Sequence, residues 1–256
     1  MTFCLGIKVR EGLIGIADTR VTTGNEVIQA RKATVHQHDA RSFFLMTSGL
    51  RSVRDKVLTY FEELLSEPDT KYDRLYKAVN GFATQIRRVA EEDRNFLEAS
   101  DLAFNLYGLI GGQLRADGEP KLYLIYPQGN WVEIGPGTPY SIIGESGYGK
   151  PILDRTLKYE DPVRYALKVG CLAFDSTRIS SATVDFPIDV VVYRGPDQSI
   201  LQHRYNKDDM RELSNLWQET LRTAVCQLPS DWLDDTFGAS DDPETFPMNT
   251  SAEASS

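Results

Sequence analysis

Apolar residues recur at every second position from Thr2 to Val9 (Phe3, Leu5, Ile7, Val9), which predicts a strand with one face buried. Arg10-Glu11-Gly12 supplies a turn, and Leu13 to Thr19, denser in apolar residues, predicts a second strand. The polar stretch Arg20 to Gln29 reads as a loop. Lys32 to His38 and Ser42 to Ser48 then read as a hairpin around His38-Asp39-Ala40-Arg41. These runs are expected to form one meander, the first sheet.

The period next becomes helical. Val53, Val57, Phe61, Leu64 and Leu65 share one face until Pro68 ends the run. Tyr72, Leu75, Val79, Phe82, Ile86 and Val89 mark a longer second helix. Strands are predicted over Ala103 to Leu114, Lys121 to Tyr126, Trp131 to Ile134 and Tyr140 to Gly144, and a short helix within Gly147 to Leu157. Asp161-Pro162 predicts a helix start, with Asp at the N-cap and Pro in the first turn. Pro187 to Tyr193 and Ser199 to Tyr205 are strands around Arg194-Gly195-Pro196-Asp197, and a last amphipathic helix runs over Lys207 to Gln227. Residues 239–256 are polar and acidic and predict an unstructured tail, which leaves 1–238 as the folded part.

Composition narrows the function classes. With 256 residues, 41% of them hydrophobic, the chain suits one sizeable domain plus appendages. A net charge of −9 argues against nucleic acid or an anionic membrane as the main partner. No apolar run approaches the ~20 residues that span a bilayer. Three cysteines and no signal-peptide pattern point to a reducing cytoplasm. His36 and His38 lack companion ligands, so neither a metal nor a cofactor is expected.

The candidate chemistry starts at Thr2. Removal of Met1 exposes a threonine whose amine, titrating near ~7.7–8.0, can take the proton of its own hydroxyl. Asp18 ends an apolar run, where a charge needs a partner, and Lys32 is the obvious one. Alone, the pair reads as a strand-end salt bridge; beside Thr2, the cation would disfavour the protonated amine. Gly49 lies where a strand meets a helix, either an ordinary turn or a backbone N–H facing an oxyanion. Ser146 lies in G-E-S-G-Y-G, which is not the G-x-S-x-G elbow, and with three histidines in the chain a serine triad is not expected.

In order and spacing, T-x-C-L-G-I-K, G-L-I-G-I-A-D-T-R, R-K and M-T-S-G resemble the proteasome β-type, N-terminal-nucleophile hydrolases, over roughly Thr2 to Tyr205. The I-A-D-T-R and R-K-A forms, the absence of a propeptide before Met1-Thr2 and the C-terminal extension resemble the bacterial Anbu-type branch. The resemblance implies an α+β, four-layer αββα sandwich with Thr2 at one edge between the sheets. It implies a threonine-type endopeptidase in which Thr2 is the nucleophile, Asp18 and Lys32 tune it, and Gly49 stabilises the oxyanion. Ser146 would hydrogen-bond around the nucleophile. Asp175, expected to close its helix, is the candidate for a further acid, with Ser176, Ser180 or Asp185 left open because that segment is longer than in typical relatives. Thr22 and Gly49 would offer backbone groups to an extended peptide, and Met46 would shape the side-chain pocket. Thr-Ser-Gly stands here where many relatives carry Ala-Gly-Gly. The expected partners are a peptide or unfolded-protein substrate and further copies of the chain, in a ring or an open spiral. Contacts are expected from the helix pair of Val53 to Val89, whose aromatics exceed what one stripe must bury. Two other readings share the fold: an assembly subunit with little proteolysis, and a non-proteolytic amidase.

Overall fold

Both faces of the first strand are buried, and this sets the architecture. In the computed structural model, described over residues 2–23, 26–38, 41–67, 72–194 and 199–237, β1 (Phe3–Val9) and β2 (Gly12–Asp18) are buried at every position. The half-buried strand expected from the alternation is thus corrected. Phe3 meets Phe174 edge-on at 5.9 Å on one side. The other side carries Cys4 and Gly6, residues small enough for a second sheet to close in: a Cβ on Gly6 would lie 3.2 Å from Leu122.

The segment read as a loop forms a two-stranded ribbon, β3 (Arg20–Thr23) with β4 (Glu26–Gln29), in register from Arg20↔Gln29 to Thr23↔Glu26. After it, β5 (Ala33–His38) and β6 (Arg41–Gly49) join a different sheet from β1 and β2. The expected single meander is therefore wrong; the ribbon marks where the chain changes sheets. Two helices follow, α1 (Arg51–Ser66) and α2 (Leu75–Glu98), then β7 (Leu106–Gln113), β8 (Lys121–Ile125), β9 (Trp131–Glu133) and β10 (Tyr140–Gly144). α3 (Lys150–Thr156), α4 (Val163–Ser180), β11 (Ile188–Arg194) and β12 (Ser199–Tyr205) come next.

One sheet has the order β10-β1-β2-β11-β12, the other β5-β6-β7-β8-β9, all neighbours antiparallel. Leu13, Ala17, Phe44, Met46, Leu109, Leu122 and Tyr193 fill the space between them. α1 and α2 cover the second sheet through Val57, Phe61, Val79, Phe82 and Ile86, and α4 packs on β1 and β2 of the first. The result is the α+β, αββα layering of N-terminal-nucleophile hydrolases.

Local details differ from expectation for physical reasons. Asp161 does not cap α4: its carboxylate accepts the Lys158 N–H at 2.7 Å, and the Val163 N–H goes to Glu11 at 3.1 Å. α4 also continues past Asp175 to Ser180, so Asp175 lies inside the helix rather than at its end. Of the aromatics of α1 and α2, Phe61 and Phe82 are buried, Tyr60 is half-buried, and Tyr76 and Phe96 are exposed. Phe61 and Phe82 meet edge-on at 5.2 Å in the core, and Tyr60 lies under the Arg88 guanidinium.

The residues from Arg211 onward form a separate compact unit, with α5 (Arg211–Cys226) and α6 (Asp234–Phe237). Leu216, Val225 and Leu228 are exposed there. No helix among the described residues is long and apolar enough to cross a membrane. Met1, the turn at Asp39-Ala40, the stop at Pro68, the turn at Gly195-Pro196-Asp197 and residues 239–256 lie outside the described residues.

Candidate active site

β1 enters its sheet one residue after Thr2, between β2 and β10. Phe3 pairs with Gly144, and the Thr2 carbonyl accepts the Glu145 N–H at 2.7 Å. Gly144 has φ +91°, and a Cβ there would run into the Thr2 carbonyl, so this position demands glycine. Backbone contacts thus fix Thr2, which stays partly exposed.

The apolar run of β2 delivers Asp18 to a fully buried position at its end. Its Oδ1 accepts two hydrogen bonds, from the Phe3 N–H at 2.8 Å and from Lys32 Nζ at 2.6 Å. Lys32, itself buried, also donates to the Arg20 carbonyl at 2.5 Å. A single carboxylate oxygen therefore ties the lysine ammonium to the residue next to Thr2. Burial pushes the Asp18 carboxyl above the ordinary carboxylate range, while the Lys32 charge, followed by the hydrogen bonds of Lys32, Phe3 and Arg20, pulls the other way.

β6 ends at Gly49, with φ +151°, where a Cβ would collide with the Asn105 carbonyl. The Leu50 N–H takes that carbonyl at 2.9 Å, and α1 begins at Arg51. Thr2, Lys32, Gly49 and Gly144 all line one cavity of about 850 Å³, together with Thr47, Arg51 and Arg54. The structure so brings together four of the eight residues singled out in the sequence: Thr2 with Asp18 behind it, Lys32 and Gly49.

The other four are placed differently. Met46 is fully buried in the layer between the sheets and does not line the cavity. Ser48, two residues on along the same face of β6, borders the cavity instead, its hydroxyl 3.1 Å from where a Cβ on Gly144 would lie. Thr22 pairs with Val27 in the ribbon, and Val21 of the same strand reaches the cavity wall. Ser146 lies two residues beyond Gly144, partly exposed, and its carbonyl accepts the Lys150 N–H at 3.1 Å. Asp175 is buried and ion-paired with Arg178 at 2.7 Å. Of the alternatives left open there, Asp185 pairs with Arg20 at 3.2 Å, whose carbonyl holds Lys32. Ser176 is partly buried and Ser180 exposed.

Cys4 adjoins this network, its thiol directed at the Thr47 carbonyl at 3.8 Å. Burial pushes that thiol far up, and it pushes Cys171 to about 12, so neither supplies a thiolate nucleophile.

Residues 2–192 match the proteasome subunit family. The chain belongs to that family. Its fold is similar to the Anbu (Gly-1) mutant from Hyphomicrobium sp. strain MC1, at 30% identity and a TM-score of 0.83 over 90% of this chain and 99% of that one. It is equally similar to Anbu, the ancestral beta-subunit, from Yersinia bercovieri, with 29% identity, TM-score 0.83 and coverage of 89% and 98%. The Anbu complex from Pseudomonas aeruginosa, a helical assembly, gives 30%, 0.83, and 89% and 97%. No curated protein sequence matches the chain. This is an Anbu-like, β-type proteasome homologue.

For a proteasome subunit of this kind, sequence reading missed Ser48, Gly144, Arg51 and Arg54. Strand parity was the available signal for Ser48, the polar end of the face that Phe44 and Met46 begin. The I-I-G-E-S-G stretch held the signal for Gly144, a glycine directly after an apolar strand.

Proposed function

We propose that this proteasome subunit is a threonine-type peptidase acting through the N-terminal threonine that Met1 removal exposes. The observation that carries the reading is the shared Asp18 Oδ1, which positions the Lys32 ammonium beside the start of β1. In the proposed reaction the neutral Thr2 amine takes the hydroxyl proton, and Oγ1 attacks the scissile carbonyl. The oxyanion is met by the Gly49 N–H, and Lys32 stabilises charge on the threonine oxygen. The amine returns its proton to the leaving nitrogen, which leaves an acyl ester on Thr2. Water, deprotonated by the same amine, hydrolyses the ester and restores Thr2. The backbone of Thr22 and Gly49 would hold the peptide as an added strand. Ser146 and Asp175 are proposed as positioning groups, and the cytoplasm as the location, in keeping with three free cysteines.

Profiling peptide, unfolded-protein and small acyl-amide substrates tests this. Turnover of peptides or unfolded protein is expected. Turnover of acyl amides alone, or of nothing by a chain whose mass shows a free Thr2, would defeat the reading.

We further propose a homo-oligomer, as for the similar Anbu complex described as a helical assembly. The exposed aromatics of α2, Tyr76 and Phe96, support contacts through the helix pair, and the exposed apolar positions of α5 add further surface that needs a cover. Heterologous contacts between copies close into a ring or continue as a spiral. Light scattering is expected to give a mass many times that of the chain, before and after truncation at Gly238. A peptide-cleaving monomer would refute this.

A further inference from the structure

We infer that the cavity beside Thr2 selects a peptide carrying a carboxylate, recognised by Arg54 with Arg51. The inference rests on the peptidase reading and adds the substrate class.

The charge on the cavity wall is one-sided. Lys32, Arg51 and Arg54 line it, and no Asp or Glu does so among the described residues. Lys32 is engaged by Asp18. The two arginines share one carboxylate, Asp55, at 2.7 Å from Arg54 and 3.4 Å from Arg51. Two guanidiniums against one half-exposed carboxylate leave the residues of the cavity wall net positive.

The helix end adds to it. α1 starts at the cavity, and helix N-termini attract anions through their free N–H groups and dipole. The usual companions of such an end are acids and a side-chain cap. Here the first turn holds no acid, and Leu50 at the N-cap position makes no side-chain cap. A local rule is broken where a ligand would sit, and an incoming anion would mend it.

Tyr107 and Tyr126, with rings 6.2 Å apart, and Leu124 supply an apolar wall for the stem that bears the charge. A Glu or Asp side chain next to the cleaved bond has this form; a free peptide C-terminus offers the same group.

Two measurements on the full-length chain test the inference. In the first, mass-verified protein starting at Thr2 is given peptides differing only in the residue before the cleaved bond. The ratio of kcat/KM for Glu over Leu is expected at about tenfold or more, as for a charge-assisted hydrogen bond. It should fall towards one in Arg54→Gln and partly in Arg51→Gln, the latter at a site exposed enough to spare the fold. It should also shrink in about 1 M salt, where the Debye length is about 3 Å. Leu or Lys preferred over Glu, or a ratio that both variants leave unchanged, overturns the inference while the peptidase reading survives.

The second measurement holds if no peptide is turned over and the peptidase reading fails. Equilibrium binding to Thr2→Ala protein then compares three labelled peptides: internal Glu with an amidated end, Leu with a free carboxyl end, and Leu with an amidated end. Tighter binding of the first assigns the site to a side chain, and of the second to a C-terminus. Equal binding of all three overturns the inference.

Discussion

A chain that begins at Thr2 is expected to hydrolyse peptide amides, and the same chain retaining Met1 is not. In the retained form the Thr2 nitrogen belongs to a peptide bond, and an amide nitrogen is no base at any pH the fold survives. The hydroxyl then keeps its proton and is a weak nucleophile. Thr2→Ala removes the hydroxyl itself, and turnover should fall by about ten-thousand-fold or more, the order seen when a nucleophile is deleted. Thr2→Ser should keep part of the activity, since amine and hydroxyl remain on one residue. None of these changes should disturb the fold. Thr2 is held by its carbonyl to Glu145 and by the pairing of Phe3 with Gly144, contacts of the backbone that alanine keeps. The check combines intact mass, which reads the first residue, with kcat/KM on the same sample. Full activity from protein whose mass includes Met1 would sink the mechanism.

What was legible in the sequence follows the range of each signal. Hairpin neighbours and helix stripes are local, so the strands of the two five-stranded sheets, α1, α2 and α4 could be read from periodicity, while the polar ribbon of β3 and β4 could not. Sheet membership is not local. β1 finds β10 about 140 positions later and β2 finds β11 still further on, and no pattern within the first 50 residues announces that β5 and β6 leave for another sheet. Periodicity also saw only one face of β1. The second face is buried because Cys4 and Gly6 are small, a property that an alternation of apolar residues does not register.

The site divides in the same way. A lone acid at the end of an apolar run and a lysine after it announced themselves by the cost of burying either one alone, and the structure places them at 2.6 Å. Met46 illustrates the opposite case. It lies on the face of β6 that packs between the sheets and belongs to the core, while Ser48, two residues on along the same face, borders the cavity. Asp175 was misplaced for another reason: α4 runs on to Ser180 without any sequence stop at Asp175, and Arg178 one turn later takes its carboxylate.

Lys32→Met is expected to abolish turnover while leaving a folded protein that is less stable, and the stability deficit should grow with pH. Methionine keeps the length and apolar stem of lysine without the charge. Catalysis loses the cation beside the Thr2 amine and oxygen, and a drop of about a hundred- to a thousand-fold or more is the order for one electrostatic partner of a transition state. Stability falls because Asp18 stays buried without its ammonium, and breaking a buried pair typically costs about 3–5 kcal/mol. Protonation of Asp18 limits the loss. Burial already holds that carboxyl above its ordinary range against the pull of Lys32, and removing Lys32 raises it further. A carboxyl raised in the folded state favours folding below its unfolded pKa, near ~3.9. That contribution disappears as pH rises through the folded value. The melting temperature of Lys32→Met should therefore lie near that of the unaltered chain at acidic pH and fall progressively behind it towards pH ~8. Asp18→Asn should lose turnover as well, since the amide no longer fixes Lys32 by charge, but its melting deficit should not follow the same rise. Near-normal turnover of Lys32→Met would make the pair purely structural. A deficit independent of pH would show that Asp18 does not take the proton that this account assigns to it.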